Sequence, residues 1–362
     1  MADRPMGHPP YGLHNKKWRT VMKRNWMFLP AVCLGLAGCL GGGVSSSEGP
    51  AQSQNEAPPA GYGGGATTVR FVLKSGSQAV TCNSQLTGIG TSQTNATLAE
   101  GMVYVHDVAL INSRGQEVPL QLDQGNKWQF LNLALLDFAG GSCKDKSRDD
   151  GDTPVGKPLP GSNSEVVGSA PADTYTGLSF KVGVPVSAKN AKGEDVALNH
   201  QPAHSPPHPI LGVYWLMWEW QSGHRFMRID LAPAGGVKRA DNSTADRWAF
   251  HLGSTDCQAD DAIVGGFRCG KPNRFKVKFD RFDPKTDRVA LDIQSLFAGN
   301  DISRDASADV GCRSNATDTE CQPIFDRLGL RLNESSPGAN DGGQPLGDGR
   351  DSRVFRVEKI GS

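Results

Sequence analysis

Apolar side chains fall on every second position of GLSFKVGVPV, residues 177–186: Leu178, Phe180, Val182, Val184 and Val186. A strand turns successive side chains to opposite faces, so this spacing fits a sheet with one buried face and not a helix. The run Arg274–Asp280 repeats the pattern, with Phe275, Val277 and Phe279 on one face and charges on the other. Val69–Lys74, Met102–Ile111, Val213–Trp220, Phe226–Leu231, Arg247–Leu252 and Arg288–Ile293 are also strand-like. Gln221–His224 reads as a hairpin turn between two of them. No long amphipathic helix and no internal repeat is evident, and 44 glycines with 23 prolines suit short strands joined by turns. These features predict an all-β fold, an antiparallel β-sandwich with long loops and disulfides.

The first 39 residues read as a targeting signal. Lys16, Lys17, Arg19, Lys23 and Arg24 precede the apolar run Trp26–Leu36, which is too short to span a bilayer but suits a signal-peptide core. The run closes in Leu36-Ala37-Gly38-Cys39, which resembles a bacterial lipobox whose cysteine carries the lipid. The competing reading is an ordinary signal with an accidental cysteine. A lipidated Cys39 predicts a bacterial cell-envelope protein, anchored at the outer membrane on its periplasmic or surface face. Residues 40–68 are rich in glycine, serine and proline and read as a flexible tether. The folded domain is expected over 69–332. Residues 333–362 form a polar tail in which Val354–Val357 offers one edge strand. Acidic and basic residues balance, and no basic tract follows the leader, so nothing points to nucleic acid.

Beyond Cys39 the chain carries six cysteines: Cys82, Cys143, Cys257, Cys269, Cys312 and Cys321. An even set in an exported chain implies disulfides, for which six cysteines allow fifteen pairings. Close spacing favours Cys257 with Cys269 and Cys312 with Cys321, which leaves Cys82 for Cys143. A zinc site competes poorly, because there is no CxxC pair and the compartment is oxidising. Asp145, Asp149, Asp150 and Asp152 could offer oxygen ligands to calcium, but the spacing of a calcium-binding EF-hand loop is absent and a solvated acidic loop reads better.

Six histidines follow the leader, and three lie in the proline-stiffened stretch Asn199–Pro209, which contains His200, His204 and His208. Proline fixes φ and lowers the entropy lost on ordering a loop, which helps preorganise ligands. His106 stands on an otherwise apolar strand face with Tyr104 and Val108, where an imidazole needs either a hydrogen-bond partner or a metal. His251 has the same ambiguity, and His224 is expected to be exposed in its turn. The segment VYWLMWEWQSGHRF, residues 213–226, holds Trp215, Trp218 and Trp220. Strand alternation would put Trp218 and Trp220 on one face and Trp215 on the other.

The motif Tyr-Trp-x-x-Trp-Glu-Trp-Gln-Ser-Gly-x-Arg-Phe-x-Arg-Ile-Asp, residues 214–230, is followed by Trp-Ala-Phe-His-Leu-Gly-Ser-Thr-x-Cys, residues 248–257. Lys127–Asp137, Gly183–Pro185 leading to Leu198–His200, Cys269–Asn273 and Cys321–Gly329 add further pieces in the same order. Together they resemble the MbnP-like family, the metallo-mystery-pair four-cysteine proteins, which include periplasmic or surface copper-binding proteins. The resemblance covers about Val69 to Leu330, and its four-cysteine pattern would correspond to Cys257, Cys269, Cys312 and Cys321. It implies that Trp218, the first tryptophan of the WxW pair, is a substrate for oxidation to kynurenine by a partner dihaem enzyme of the cytochrome c peroxidase/MauG type. An indole N–H only donates and cannot ligate a metal, whereas opening the pyrrole ring frees an aromatic amine. Asp256 replaces a usual family glycine, and His224 replaces a usual aromatic residue.

The sequence therefore predicts a lipid-anchored copper-binding protein without turnover of its own, holding copper as Cu(I) through Trp218 as kynurenine. Its histidine ligands are expected in the order His106, His208 and His200, with His251 in reserve. The rival reading is a structural or adhesive surface β-sandwich without metal. Against an enzyme, there is no GxSxG, HExxH or paired-carboxylate signature in a suitable setting.

Overall fold

The computed structural model describes residues 65–82, 84–140, 143, 159–200, 206–218, 223–305, 307, 309–332 and 352–361. The leader, Cys39, most of the tether and the acidic segment with Asp145, Asp149, Asp150 and Asp152 lie outside the described residues. Twelve strands carry the argument. They are β1 (Ala66–Ser75), β2 (Thr94–Asn112), β3 (Leu133–Asp137), β4 (Glu165–Ser169), β5 (Tyr175–Val182) and β6 (Gly223–Pro233). They continue with β7 (Trp248–Gly253), β8 (Thr255–Ala259), β9 (Phe267–Lys271), β10 (Phe275–Phe279), β11 (Asp287–Asp292) and β12 (Phe355–Lys359).

The fold is all-β, as expected, and is built on two main sheets. An 11-stranded sheet runs β10-β5-β2-β6-β7 and ends on the short strand Gly311–Cys312, with β3 also paired to β2. A 6-stranded sheet runs β12-β11-β1-β4 and ends on Gln121–Leu122. The pairing is mostly antiparallel, with two departures in the main sheets. β1 runs parallel to β11, and β7 runs parallel to Gly311–Cys312. Strands so distant in the chain can be parallel because each direct turn is replaced by a long crossover.

Register assigns the two faces of the larger sheet. Val103 stands opposite Leu136 and Met227, and Met227 stands opposite Leu252. Directly opposed residues share a face. Val105 on that face opposes Val182, two residues from Phe180. The Phe180 ring meets Phe71 of β1 at 5.4 Å and Phe355 of β12 at 5.6 Å, both edge-on, so this face packs on the smaller sheet. The opposite face presents Met102, Tyr104 and His106 of β2, Arg228 and Asp230 of β6 and His251 of β7. Residues 206–218 cover it: the Tyr104 hydroxyl donates to the Ile210 carbonyl, and Arg228 Nη1 donates to the Trp215 carbonyl at 3.3 Å.

Two sequence expectations change here. Val213–Trp218 is not one continuous strand: single 3-10 turns occupy Pro209–Gly212 and Tyr214–Leu216, and within this stretch Met217–Trp218 is the strand among the described residues. Pro209 supplies a φ suited to the first turn, and His208 Nδ1 caps it by accepting from Ile210 N at 3.4 Å. Trp215 therefore lies in a 3-10 turn and not on the alternating face of a strand, and Trp220 lies outside the described residues. The edge strand offered by Val354–Val357 does form, as β12 pairs along β11 from Asp287 to Leu291 and buries Phe355. At the other end β1 begins at Ala66, inside the expected tether. Among the described residues no helix is long and apolar enough to cross a membrane.

Three disulfides join Cys82 to Cys143, Cys257 to Cys269 and Cys312 to Cys321, the pairing that spacing favours. The second crosses directly between β8 and β9. The third ties Gly311–Cys312 to the helix Cys321–Leu328.

Candidate metal centre

One end of the larger sheet gathers the residues of interest. Here β6 begins with Gly223, His224 and Arg225; Arg225 opposes Gly253 of β7, and Met227 opposes Val103 of β2. The strand Met217–Trp218 adds to this end by pairing Trp218 with Gly223 and Met217 with His224. Trp218 is buried, and its ring sits close against Gly253. A Cβ at 253 would sit 2.4 Å from Trp218 Cζ3 and 2.6 Å from Cε3, so the seat exists only because residue 253 is glycine. The Arg225 guanidinium lies 5.8 Å from the Trp218 ring centroid and donates to the Trp215 and Met217 carbonyls at 2.8 and 2.9 Å. The guanidinium therefore holds the turn that presents the indole.

His106 is fully buried on the same end of β2. Its Nδ1 lies 3.1 Å from Asp107 Oδ2, and Lys181 reaches the same oxygen at 3.0 Å. Burial would raise Asp107, but His106 and Lys181 outweigh it and hold the carboxyl well below the usual range. Asp107 adopts a φ of 49°, in the left-handed region that aspartate tolerates better than most residues. Neither ring nitrogen of His106 makes a well-formed hydrogen bond among the described residues, so Nε2 is open and Asp107 acts on Nδ1 as a neighbouring charge. A carboxylate at one ring nitrogen and an open lone pair at the other is the arrangement of a metal-ligating histidine.

His208 approaches the same end from the covering segment. Its ring stacks on Phe130 at 4.8 Å, and Phe130 opposes Leu133, which in turn opposes His106. Half-burial lowers its pKa and favours the neutral, ligating form. His224 departs from expectation. It is buried rather than exposed, with Nδ1 2.7 Å from the Asn199 carbonyl and Nε2 2.9 Å from the Leu211 carbonyl. Burial lowers its pKa, although the two carbonyls oppose that shift. Its ring meets Tyr104 edge-on at 5.9 Å, so it fills an aromatic role with both nitrogens turned to carbonyls, to one of which the neutral ring donates.

His251 lies two residues deeper along β7, where Nε2 contacts Asp230 Oδ1 at 3.0 Å. Asp230 also accepts from Arg228 Nε and Nη2 at 2.9 and 2.7 Å. Burial lowers His251 to about 4 against the pull of Asp230, so the ring is neutral and donates Nε2–H. Burial would raise Asp230, but the Arg228 charge and His251 hold it well below the carboxylate range. Arg228 in turn lies 5.7 Å from the Trp215 centroid. This buried group braces the sheet beneath the tryptophans, and only the histidine was singled out from sequence.

His200 sits at the edge of the same region. Neighbouring Asn199 accepts the His224 N–H at 3.1 Å and crowds Gly223, the partner of Trp218. The His200 ring stacks on Phe267 at 4.9 Å, with Nε2 3.7 Å from Cys269 Sγ. Among the described residues, His200, Cys257 and Cys269 form the single group whose three ligand-type atoms all lie within 4.8 Å of one another. Both sulfurs are in a disulfide, so neither is a thiolate ligand in this state. An open imidazole nitrogen such as that of His106 fits a soft or borderline cation better than a hard one.

A family model for MbnP matches residues 64–314. The chain belongs to the MbnP family. A solved structure of MbnP from Methylosinus trichosporium is similar at 38% identity, with a TM-score of 0.71, covering 82% of this chain and 98% of that one. No curated protein matches the chain. The MbnP family is associated with copper handling. Two departures from the family motif now have a physical account. Asp256 takes the usual glycine position at a φ of 56°, a left-handed conformation that aspartate tolerates better than most residues. His224 substitutes for an aromatic residue by packing on Tyr104. Gly253, Arg225 and Asp230 all lay in the motif strings, but their roles depend on contacts across strands.

Proposed function

We propose that this MbnP family member is a lipid-anchored copper-binding protein of the bacterial cell envelope that turns over no substrate of its own. A partner dihaem enzyme oxidises Trp218 to kynurenine, with net loss of one carbon and gain of one oxygen from the side chain. Copper, held as Cu(I), is then bound by the freed aromatic amine with His106 and His208; His200, the third imidazole expected, turns its Nε2 to Cys269 instead. His251 stays in reserve: Asp230 holds its Nε2 and its Nδ1 is open among the described residues, but it lies two residues deeper along β7 than Gly253, the seat of Trp218. The observation that carries the reading is the seat of Trp218. Its ring is pressed on Gly253 at the sheet end that also holds the open Nε2 of His106. Imidazole and aromatic amine donors suit copper, and a buried pocket without thiolate leaves the ion's charge and geometry to these nitrogens.

The test is co-production with the dihaem partner followed by peptide mass mapping. Trp218 is expected to convert while Trp215 stays intact. Trp218→Phe is expected to keep the fold and lose tight copper binding, since it keeps a ring but offers no route to an amine. His106→Ala is expected to weaken copper binding without preventing oxidation. Copper binding of undiminished affinity by Trp218→Phe would refute the proposal.

A further inference from the structure

We propose that the Cys257–Cys269 disulfide masks a second copper site, opened by a dithiol reductant and completed by His200. This site is independent of Trp218. The three donor atoms already lie within 4.8 Å of one another, and no carboxylate belongs to the group. Two sulfurs and one imidazole nitrogen form a soft donor set that suits three-coordinate Cu(I) and disfavours hard cations.

The surroundings hold the ligands in place without the S–S bond. Cys257 and Cys269 are opposed across an antiparallel ladder that runs from Thr255↔Lys271 to Ala259↔Phe267. Arg268 Nε also donates to Asp260 Oδ2 at 2.9 Å on the same hairpin. Breaking the covalent link therefore leaves the two side chains facing each other. Phe267 of the same hairpin stacks on His200 and fixes its ring beside the sulfurs. Cys257 is buried and Cys269 half-buried, so the pair is shielded and Cys269 is the more exposed of the two.

The chemistry balances as an ordinary exchange. A thiolate of the dithiol attacks Cys269 Sγ, the S–S bond breaks, and Cys257 leaves as a thiolate. The second thiol of the reductant then attacks the mixed disulfide, releasing Cys269 and leaving the reductant as its own disulfide. Two electrons and two protons pass to the protein. Binding Cu(I) expels the thiol protons and leaves both sulfurs as thiolate ligands.

The experiment uses the full mature chain carrying Trp218→Phe, so that no kynurenine site contributes. Graded dithiol treatment with differential alkylation and peptide mapping identifies protein in which Cys257 and Cys269 are free and the other two disulfides intact. Cu(I) is then titrated against a chromophoric chelator. Reduction is expected to add one tight Cu(I) site absent from the oxidised protein, with two sulfurs and one nitrogen around copper by X-ray absorption. His200→Phe, which keeps the stacking on Phe267 but removes the nitrogen, is expected to weaken that site tenfold or more. Four outcomes would overturn the proposal: no added site on reduction, equal uptake by the oxidised protein, equal affinity in His200→Phe, or unfolding when this one pair is reduced. Failure of the Trp218 reading would leave these results unchanged.

Discussion

Gly253 gives the indole of Trp218 its seat, and the contact is close enough to decide what a substitution does. An alanine Cβ would meet Trp218 Cζ3 at 2.4 Å and the His224 carbonyl oxygen at 2.8 Å. Gly253→Ala is expected to destabilise the fold by about 1–3 kcal/mol, the usual cost of overpacking, and to impair oxidation of Trp218. Denaturant unfolding with peptide mapping checks both, and a stable variant with normal oxidation would contradict the account. His251 makes a second residue-level prediction. Its pKa falls from 6.5 to about 4 on burial, so between those values the unfolded chain binds more protons than the folded one. Stability should therefore fall as pH drops from about 6.5 to about 4, by up to about 1.4 kcal/mol per pH unit from this group. Equilibrium unfolding across that range should show the slope in the parent and lose most of it in His251→Gln. The histidine itself was visible in the sequence, but Asp230 as its partner was not, because the pair forms only when β6 and β7 align.

Strands announced by alternation were legible: β5, β10, β6, β7 and β11 fall where the apolar spacing puts them. Pairing direction was not, since alternation says which face is buried and nothing about which way the neighbour runs. The parallel contact of β1 with β11 is therefore a result of the three-dimensional crossover alone. The tryptophan segment misled for a different reason. Its large apolar side chains imitate a buried strand, while the prolines before it and the His208 cap favour tight 3-10 turns. The aromatic density reflected burial on both sides of a covering segment rather than one face of a sheet. β12 allows a prediction at this scale. Phe355 packs on Phe180, and Glu358 accepts from Lys74 and Arg288 at 2.9 and 2.8 Å. Truncation after Leu332 is expected to cost at least about 2 kcal/mol, the scale of one fully buried phenylalanine. Unfolding of the truncated chain at an unchanged midpoint would show that the strand is dispensable.

At the scale of the whole molecule, the two-sheet body turns one face of its larger sheet to the smaller sheet and uses the other to hold an imidazole-rich end under the Trp218 segment. The family motifs made that end recognisable in the sequence, because the strings around Trp218 and Gly253 keep their order. Where His208 sits was less legible, since it depends on the path of residues 206–218 across the sheet. The anchor is tested separately: Cys39→Ser is expected to release the protein from membranes, with fractionation as the readout, and retained membrane association would remove the lipoprotein reading. The most direct measurement is metal analysis joined to peptide mass mapping on one preparation purified from the native host. The account predicts stoichiometric copper together with a Trp218 peptide that has lost one carbon and gained one oxygen. Stoichiometric copper on protein whose Trp218 is unmodified would contradict it.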